Sequence, residues 1–419
     1  MIKKILINSI VFSPDAVSTA YLYNDIALEF KRKGYKVVVL TTTPHYNRIE
    51  EELNKQPLIR TCFGLYYESR FNDILVLHIP QKKHKSALVR CFYMIYWHIA
   101  SLIVGLLQTN INLILTPSPP ITIGLISIFI GKLKRAKTIY NVQEIYPDLL
   151  INHKGIKSPL IIKPLKFIER LVYNHSDAVV TIDDVFLSTI SGRVKNQSKL
   201  SVIPNFVDTN IYQPSDINKL PLNQKNFPSN NDTLKLMYAG NIGHAQEWQT
   251  ILRLGKEFND GSIEIYIVGE GVLKNKIVEE VKSMNLHHIH LLPYQPREKM
   301  AAITSFADIH FILMEPKLQE QGFPSKIYTI MACGRPLIIA SGAGTPLYNF
   351  FKILDCAFFI TTDDLEDRYK KFKNTIKTIL KNRDVLKKKG QNSLALIKAK
   401  YSKEIVVDQY ISLVESLIK

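Results

Sequence analysis

Cysteine is scarce. The chain has four in 419 residues, Cys62, Cys91, Cys333 and Cys356, with no C-x-x-C pair. They supply neither a disulfide framework nor a zinc site, and they fit a reducing cytoplasm. The dinucleotide fingerprint G-x-G-x-x-G is also missing. Asn8-Ser9-Ile10-Val11-Phe12 follows the first apolar run, and Gly269-Glu270-Gly271 lacks a third glycine, which counts against a nicotinamide cofactor. No D-x-D triplet occurs, Asp363-Asp364 being the nearest imitation. No clean run of membrane length exists either. Ala87 to Leu107 comes closest but contains Arg90, His98 and Gly105, where a span needs about 20 mostly apolar residues. A spanning, an interfacial and an ordinary buried helix all stay open there. The opening MIKKILINSIVF breaks at Asn8-Ser9 without a small-residue cleavage site, unlike a signal peptide. Acidic residues are in deficit, 37 Asp+Glu against 54 Lys+Arg, leaving a net charge of +17.

What is present is a folding composition, 46% apolar and 22% charged, which excludes a disordered chain. Single cores rarely grow past roughly 250–300 residues, so two domains are expected. Residues 1–200 hold 26 Lys+Arg and 14 Asp+Glu, a net +12. A basic half suits nucleic acid or an anionic membrane surface. The nucleic-acid reading fails, since no basic helix or aromatic-basic strand pattern accompanies the charge.

Strand-length apolar runs alternate with helical periodicity. Lys4–Asn8, Lys36–Thr41, Ile74–Ile79, Leu113–Thr116, Thr138–Val142, Ala178–Thr181 and Leu200–Ile203 read as strands. The continuous apolar character of KVVVLT marks a buried parallel sheet. Thr19–Lys33 reads as a helix with Tyr23, Ile26, Ala27 and Phe30 on one face and Gly34 as its stop. The pattern lapses over 209–233, rich in Asn, Pro, Asp and Ser. It resumes with LKLMYAG, IEIYIVG, HIHLLP, DIHFILM and RPLIIAS, with helices predicted at 246–258, 272–284, 296–306 and 325–333. A final helix is predicted over Ser402–Leu417, with Ser402 as N-cap. Two α/β, doubly wound, Rossmann-like halves are the expected fold class. The predicted boundaries are a domain at 1–205, a linker at 206–233 and a domain at 234–401, with 402–419 packing back on the first.

In such sheets ligands bind at the carboxyl ends of the strands. Four strings there stand out: Pro204-Asn205-Phe206-Val207-Asp208; Tyr238-Ala239-Gly240-Asn241-Ile242-Gly243; Val268-Gly269-Glu270-Gly271; and Gly322-Phe323-Pro324-Ser325-Lys326-Ile327-Tyr328-Thr329, running on to Cys333-Gly334-Arg335-Pro336. In this order they resemble the retaining family 4 glycosyltransferases of the GT-B fold, most closely the bacterial enzymes of capsule, O-antigen and exopolysaccharide synthesis. Ser118-Pro119-Pro120 and Tyr146-Pro147-Asp148 resemble that group too.

Elementary physics supports a phosphate cradle. A helix starting near Ser325 offers free N–H groups and a dipole, and Lys326 adds a point charge. Gly240 and Gly243 allow close backbone approach to a ligand. The resemblance implies transfer of a sugar, with retention, from a nucleotide-sugar donor, most often UDP-linked, to a lipid-linked saccharide acceptor. It implies donor contacts at Gly240, Asn241, Gly243, Glu270, Gln321, Gly322, Phe323, Ser325, Lys326 and Thr329. Acceptor contacts are implied at Ser18, His45, Glu144 and Tyr146, with Glu144 and Lys326 in catalytic roles.

Gln321 and Thr329 stand where the family often carries two glutamates. Asn241 and Glu247 stand where Arg and Lys are common. With no D-x-D motif, metal independence and no cofactor are expected. Peripheral attachment to the inner face of the cell membrane is expected from the basic half and its apolar segment. Two rivals remain: a non-catalytic sugar-nucleotide-binding partner in polysaccharide assembly, and a GT-B-fold epimerase.

Overall fold

A computed structural model describes residues 2–419 apart from 83, 85, 157, 217–226, 228–231 and 320–322. The chain forms two compact units, Met1–Asn205 with Val406–Lys419, and Phe206–Ile405. Much of the segment read as a linker lies outside the described residues.

The first unit runs β1 (Lys4–Asn8), α1 (Ser18–Arg32), β2 (Lys36–Thr42), α2 (Glu50–Lys55), β3 (Ile59–Thr61), β4 (Tyr66–Phe71), β5 (Ile74–Ile79), α3 (Ala87–Leu107), β6 (Ile111–Pro117), α4 (Thr122–Lys134), β7 (Lys137–Val142), α5 (Asp148–Lys154), α6 (Pro159–His175), β8 (Ala178–Thr181), α7 (Asp184–Ser191) and β9 (Leu200–Val202). The sheet order is β3-β4-β5-β2-β1-β6-β7-β8-β9. Every pairing is parallel except those of β4. The crossover through α1 moves one way along this order. Those through α3, α4 and α6 move the other way. Right-handed crossovers therefore place α1 on one face and the other three on the opposite face. Both faces are covered, which is why β1 is buried at all five positions.

Tyr23, Ile26, Ala27 and Phe30 form the buried stripe of α1, and Gly34 turns the chain with φ +89°. A buried polar chain links three elements of this unit. The Tyr23 hydroxyl donates to Asn141 Oδ1 (3.0 Å), and Asn141 Nδ2 donates to the hydroxyl of Tyr410 (2.6 Å) on the C-terminal helix.

The second unit runs β10 (Leu234–Ala239), α8 (Gln249–Glu257), β11 (Ile263–Val268), α9 (Lys274–Ser283), β12 (Ile289–Leu292), α10 (Met300–Phe306), β13 (Ile309–Leu313), α11 (Lys326–Ala332), β14 (Leu337–Ala340), α12 (Pro346–Phe351), β15 (Ala357–Ile360), α13 (Leu365–Lys381) and α14 (Asp384–Leu396). The final helix, α15 (Lys403–Leu417), follows. The sheet is wholly parallel in the order β12-β11-β10-β13-β14-β15. Strand order reverses between β10 and β13, so a switch point opens at their carboxyl ends.

The last residues of the Pro-Asn-Phe-Val-Asp string, Val207 and Asp208, have a structural job in this unit. Val207 bridges Ser402, its N–H bonding to Tyr401 O (3.1 Å) while Lys403 N–H bonds to Val207 O (2.9 Å). The carboxylate of Asp208 accepts from Lys403 Nζ.

Candidate functional site

The turn after β10 is held on both flanks. Toward β11, Gly240 N–H bonds to Val268 O (2.9 Å), Ile242 N–H to Glu270 O (2.8 Å) and Leu273 N–H to Ile242 O (3.1 Å). Toward β13, Glu247 N–H bonds to Leu313 O (2.8 Å) and Glu315 N–H to Ala245 O (3.0 Å). The first of these contacts leaves no room for side chains. A Cβ at Gly269, where φ is +146°, would lie 2.0 Å from Gly240 O, and one at Gly271 would lie 2.2 Å from Ile242 O. Those two glycines serve the packing of turn on turn. Gly243 shows no such need, since its nearest neighbour is the movable Asn241 side chain.

Lys326, the first residue of α11, aims its side chain under this turn. Its Nζ lies 3.5 Å from the centre of the Tyr238 ring and 2.9 Å from where a Cβ at Gly240 would stand. Only a glycine at 240, with φ +144°, leaves that space open. The residue as a whole is partly exposed, but Nζ itself is shut away from solvent and has no hydrogen-bond partner among the described residues. Burial pushes its pKa down to about 7. The ring face of Tyr238 offers a cation some compensation, and the Tyr238 hydroxyl is turned away, donating to Asn241 O (2.7 Å). A buried ammonium without a counter-charge is unfavourable. An anion arriving at the switch point would relieve it.

The other donor-side residues are spread around this centre. Gly240 and Asn241 are exposed at the turn. Ser325 is exposed as the N-cap of α11 and makes no side-chain capping bond. Thr329 follows Lys326 by three residues on the same helix and is half-buried. Glu270 is exposed and pairs with Lys274 (2.6 Å), whose hydrogen bond holds the carboxyl below its usual range. Phe323 stands just before Ser325 and is partly buried. Its ring packs against Tyr328 (5.3 Å between centroids) and Phe350 (5.0 Å) as an anchor for the segment entering α11. Gln321 and Gly322 lie outside the described residues. Glu247 is turned inward. It accepts from Thr250 N–H (2.9 Å) at the start of α8 and lies in the field of the buried Arg368.

In the first unit, the carboxyl edge carries the residues expected to contact an acceptor. Ser118 Oγ accepts from Gln143 N–H (2.9 Å) and Glu144 N–H (3.1 Å), fixing the turn after β7. Glu144 is half-exposed there. Burial, then the charges of Asp15 and Glu144, raises Tyr46, and burial, then the Glu144 charge, raises Tyr146 to about 12. The His45 ring stacks at a tilt on Tyr46 (4.4 Å). The turn carrying both is pinned by Asp15, only 2% exposed, whose carboxylate accepts the N–H groups of His45 (3.0 Å), Tyr46 (2.9 Å) and Asn47 (2.7 Å). Ser18 is exposed at the start of α1. Glu144, Tyr146 and His45 thus share one edge of one unit, and Lys326 belongs to the other unit.

Sequence reasoning gave no role to Tyr238, although it opens the second string, and missed Asp15. Tyr238 reads as one more buried strand residue, and Asp15 follows a proline like any turn aspartate. No period marks either.

The fold is the GT-B fold of glycosyltransferases, and part of the sequence matches a glycosyltransferase family. Residues 221–394 match the family described as glycosyl transferases group 1. Over 82% of its length the chain is 22% identical to a protein named "Putative colanic acid biosynthesis glycosyl transferase WcaI" of Escherichia coli (strain K12), covering 84% of that protein. The chain is thus similar to enzymes of exopolysaccharide synthesis. The same fold occurs in Anabaena Alr3699/HepE, solved in complex with UDP. That match has 12% identity, a TM-score of 0.71, and covers 99% of this chain and 100% of that one. Sucrose-phosphate synthase from Thermosynechococcus elongatus matches at 14% identity and TM-score 0.72, covering 99% of each chain.

Proposed function

We propose that this glycosyltransferase moves a hexosyl or N-acetylhexosaminyl group from a UDP-linked sugar, with retention, to a lipid-linked saccharide of a surface polysaccharide, O-antigen or capsule. It does so at the inner face of the cell membrane, without a metal ion. The observation that carries the donor side is the buried Lys326 ammonium at the switch point between β10 and β13. A diphosphate there gives Lys326 its counter-charge. As the sugar–phosphate bond breaks, charge grows on the departing phosphate, and the ammonium stabilises it more strongly than in the ground state. Gly240 leaves room for that approach. In the first unit, the edge bearing Glu144, Tyr146 and His45 binds the acceptor saccharide; the attacking hydroxyl bonds to the anomeric carbon and loses its proton to the departing phosphate.

UDP in the solved Anabaena relative supports the choice of nucleotide. The likeness to a colanic acid enzyme supports a surface-polysaccharide acceptor. The deciding experiment incubates purified protein with a panel of radiolabelled UDP-sugars and a membrane extract. Label should enter the lipid fraction from one donor, with the anomeric configuration kept. Donor binding without transfer from any member of the panel would leave a sugar-nucleotide-binding protein instead.

A further inference from the structure

We infer that the surface of the first unit formed by α3, α4 and α6 is an in-plane docking face for an anionic lipid bilayer. This deepens, and rests on, the membrane association proposed above. By length and composition, Leu88–Leu107 of α3 could cross a membrane. The structure commits one side of that helix elsewhere. Trp97, Ala100, Ser101 and Val104 are each no more than 1% exposed within the unit, and His98 Nε2 bonds to Thr122 Oγ1 at the start of α4 (2.7 Å). Spanning would strip all of these contacts.

The other side of α3 is bare. Phe92, Ile95, Ile99 and Ile103 recur at three- and four-residue spacing, all exposed, so they form one stripe along the helix. The surface continues across its neighbours, because α4 packs against both α3 and α6. Phe129 and Leu133 are exposed on α4 and Phe167 on α6. An apolar face this continuous marks an interaction surface.

Charge chooses the occupant. Neither α3 nor α4 contains an acid. The one acid of α6, Glu169, is 2% exposed and paired with Arg193 (2.6 Å). Against it stand exposed Arg90, Lys132, Lys163, Lys166 and Arg170. A second copy of the chain would bring like charges together. An anionic bilayer accepts both features, aromatic and aliphatic side chains sinking into the headgroup boundary and cations above it.

The direction of docking also follows. Parallel crossovers start α3 and α4 at the carboxyl edge of the sheet, the edge of Ser118, Glu144 and Tyr146. His98 meets the first turn of α4, so the eleven residues Ala87–Trp97 run about 16 Å past that point at 1.5 Å per residue. The docking face therefore reaches beyond the edge that holds the acceptor candidates.

Flotation of the full chain with vesicles tests this, comparing phosphatidylglycerol-containing with pure phosphatidylcholine membranes. Wild type should float with the anionic vesicles and detach as salt rises. The double variant Phe92→Glu/Ile99→Glu should lose flotation. The triple variant Arg90→Glu/Lys163→Glu/Lys166→Glu should partition on the order of a hundredfold less. Both should keep the wild-type melting temperature and UDP binding, since these side chains are exposed and lie outside the donor unit. Lys256→Glu/Lys276→Glu/Lys282→Glu, exposed lysines of the second unit, should leave flotation nearly intact.

An equal loss in that control would make the attraction one of net charge and overturn the assigned face. Flotation of wild type that persists in both face variants would do the same while leaving membrane association standing. No flotation of wild type would overturn both readings. A dimer in light scattering that Phe92→Glu/Ile99→Glu abolishes would give the face to a second copy and overturn the lipid assignment.

Discussion

Lys326 is held in a state that disfavours the free protein and favours its complex. Its pKa falls from 10.5 to about 7 by burial. A lysine depressed this way costs stability most fully below pH 7, and the cost fades as pH rises toward the unfolded value. Lys326→Met should therefore raise the melting temperature of the ligand-free protein at pH 6, by an amount worth up to several kcal/mol, with the gain shrinking toward pH 10. The same variant should weaken UDP binding and cut kcat/KM by roughly ten- to several-hundred-fold, as expected for a charged hydrogen bond of about 1.5–3 kcal/mol. Calorimetric melts beside transfer kinetics decide it. Unchanged melting with unchanged kinetics would remove the lysine from the donor site. This stability effect was not legible in the sequence, where a lysine beginning a helix looks solvated. It depends on Tyr238 and Gly240 closing over Nζ.

The same residue dictates a pH dependence. A bound diphosphate favours the charged lysine, so binding takes up a proton wherever the free ammonium has begun to lose its own. Affinity for UDP should be flat below pH 7 as far as this group is concerned. Above pH 7 it should fall, by at most about tenfold per unit, and Lys326→Met should erase the slope. Titration calorimetry from pH 6 to 9 reads it. Because a protein cation supplies the charge, transfer should also survive EDTA; loss of turnover restored by Mn²⁺ would contradict that expectation.

Among strands and helices, agreement between sequence and fold follows burial. Buried parallel strands were legible almost to the residue, because a strand covered on both faces must be continuously apolar. Lys4–Asn8 and Ile74–Ile79 coincide with β1 and β5. The antiparallel edge pair β3 and β4 was missed. Tyr66–Phe71 carries Glu68 and Arg70 within a partly exposed edge and shows no apolar run. Helix α8 starts at Gln249, not 246, because Gln246 is spent on β13, its Oε1 accepting Leu313 N–H (3.1 Å).

The glycines of the third string, Gly269 and Gly271, are the surfaces on which two turns touch. Gly269→Ala would place its Cβ 2.0 Å from Gly240 O, in a backbone region that side chains rarely adopt. The turn over Lys326 must then shift. The expected result is a melting temperature lowered by several degrees together with weaker UDP binding. Tolerance of alanine in both assays would mean that the two turns are freer than their hydrogen bonds imply.

Across the molecule, four apolar clusters among the described residues each fall within one unit. One gathers Leu6, Trp97, Ile114 and Val179 in the first unit, and three others, around Leu236, Ile327 and Met237, lie wholly in the second. Each unit has the length, strand count and core of a domain able to fold alone. Thermal unfolding should therefore show two transitions. The elements proposed to hold the donor, those bearing Gly240 and Lys326, belong to the second unit. UDP at about 100 times its Kd stabilises the unit that binds it by about 2.7 kcal/mol. For a unit of some 200 residues that is a shift of roughly 5–10 °C, confined to one transition, while the other stays in place. Lys326→Met should abolish the shift and spare the other transition. If a single transition moves as one with UDP, the two units unfold as one cooperative body, and the domain division is then one of architecture without independent stability.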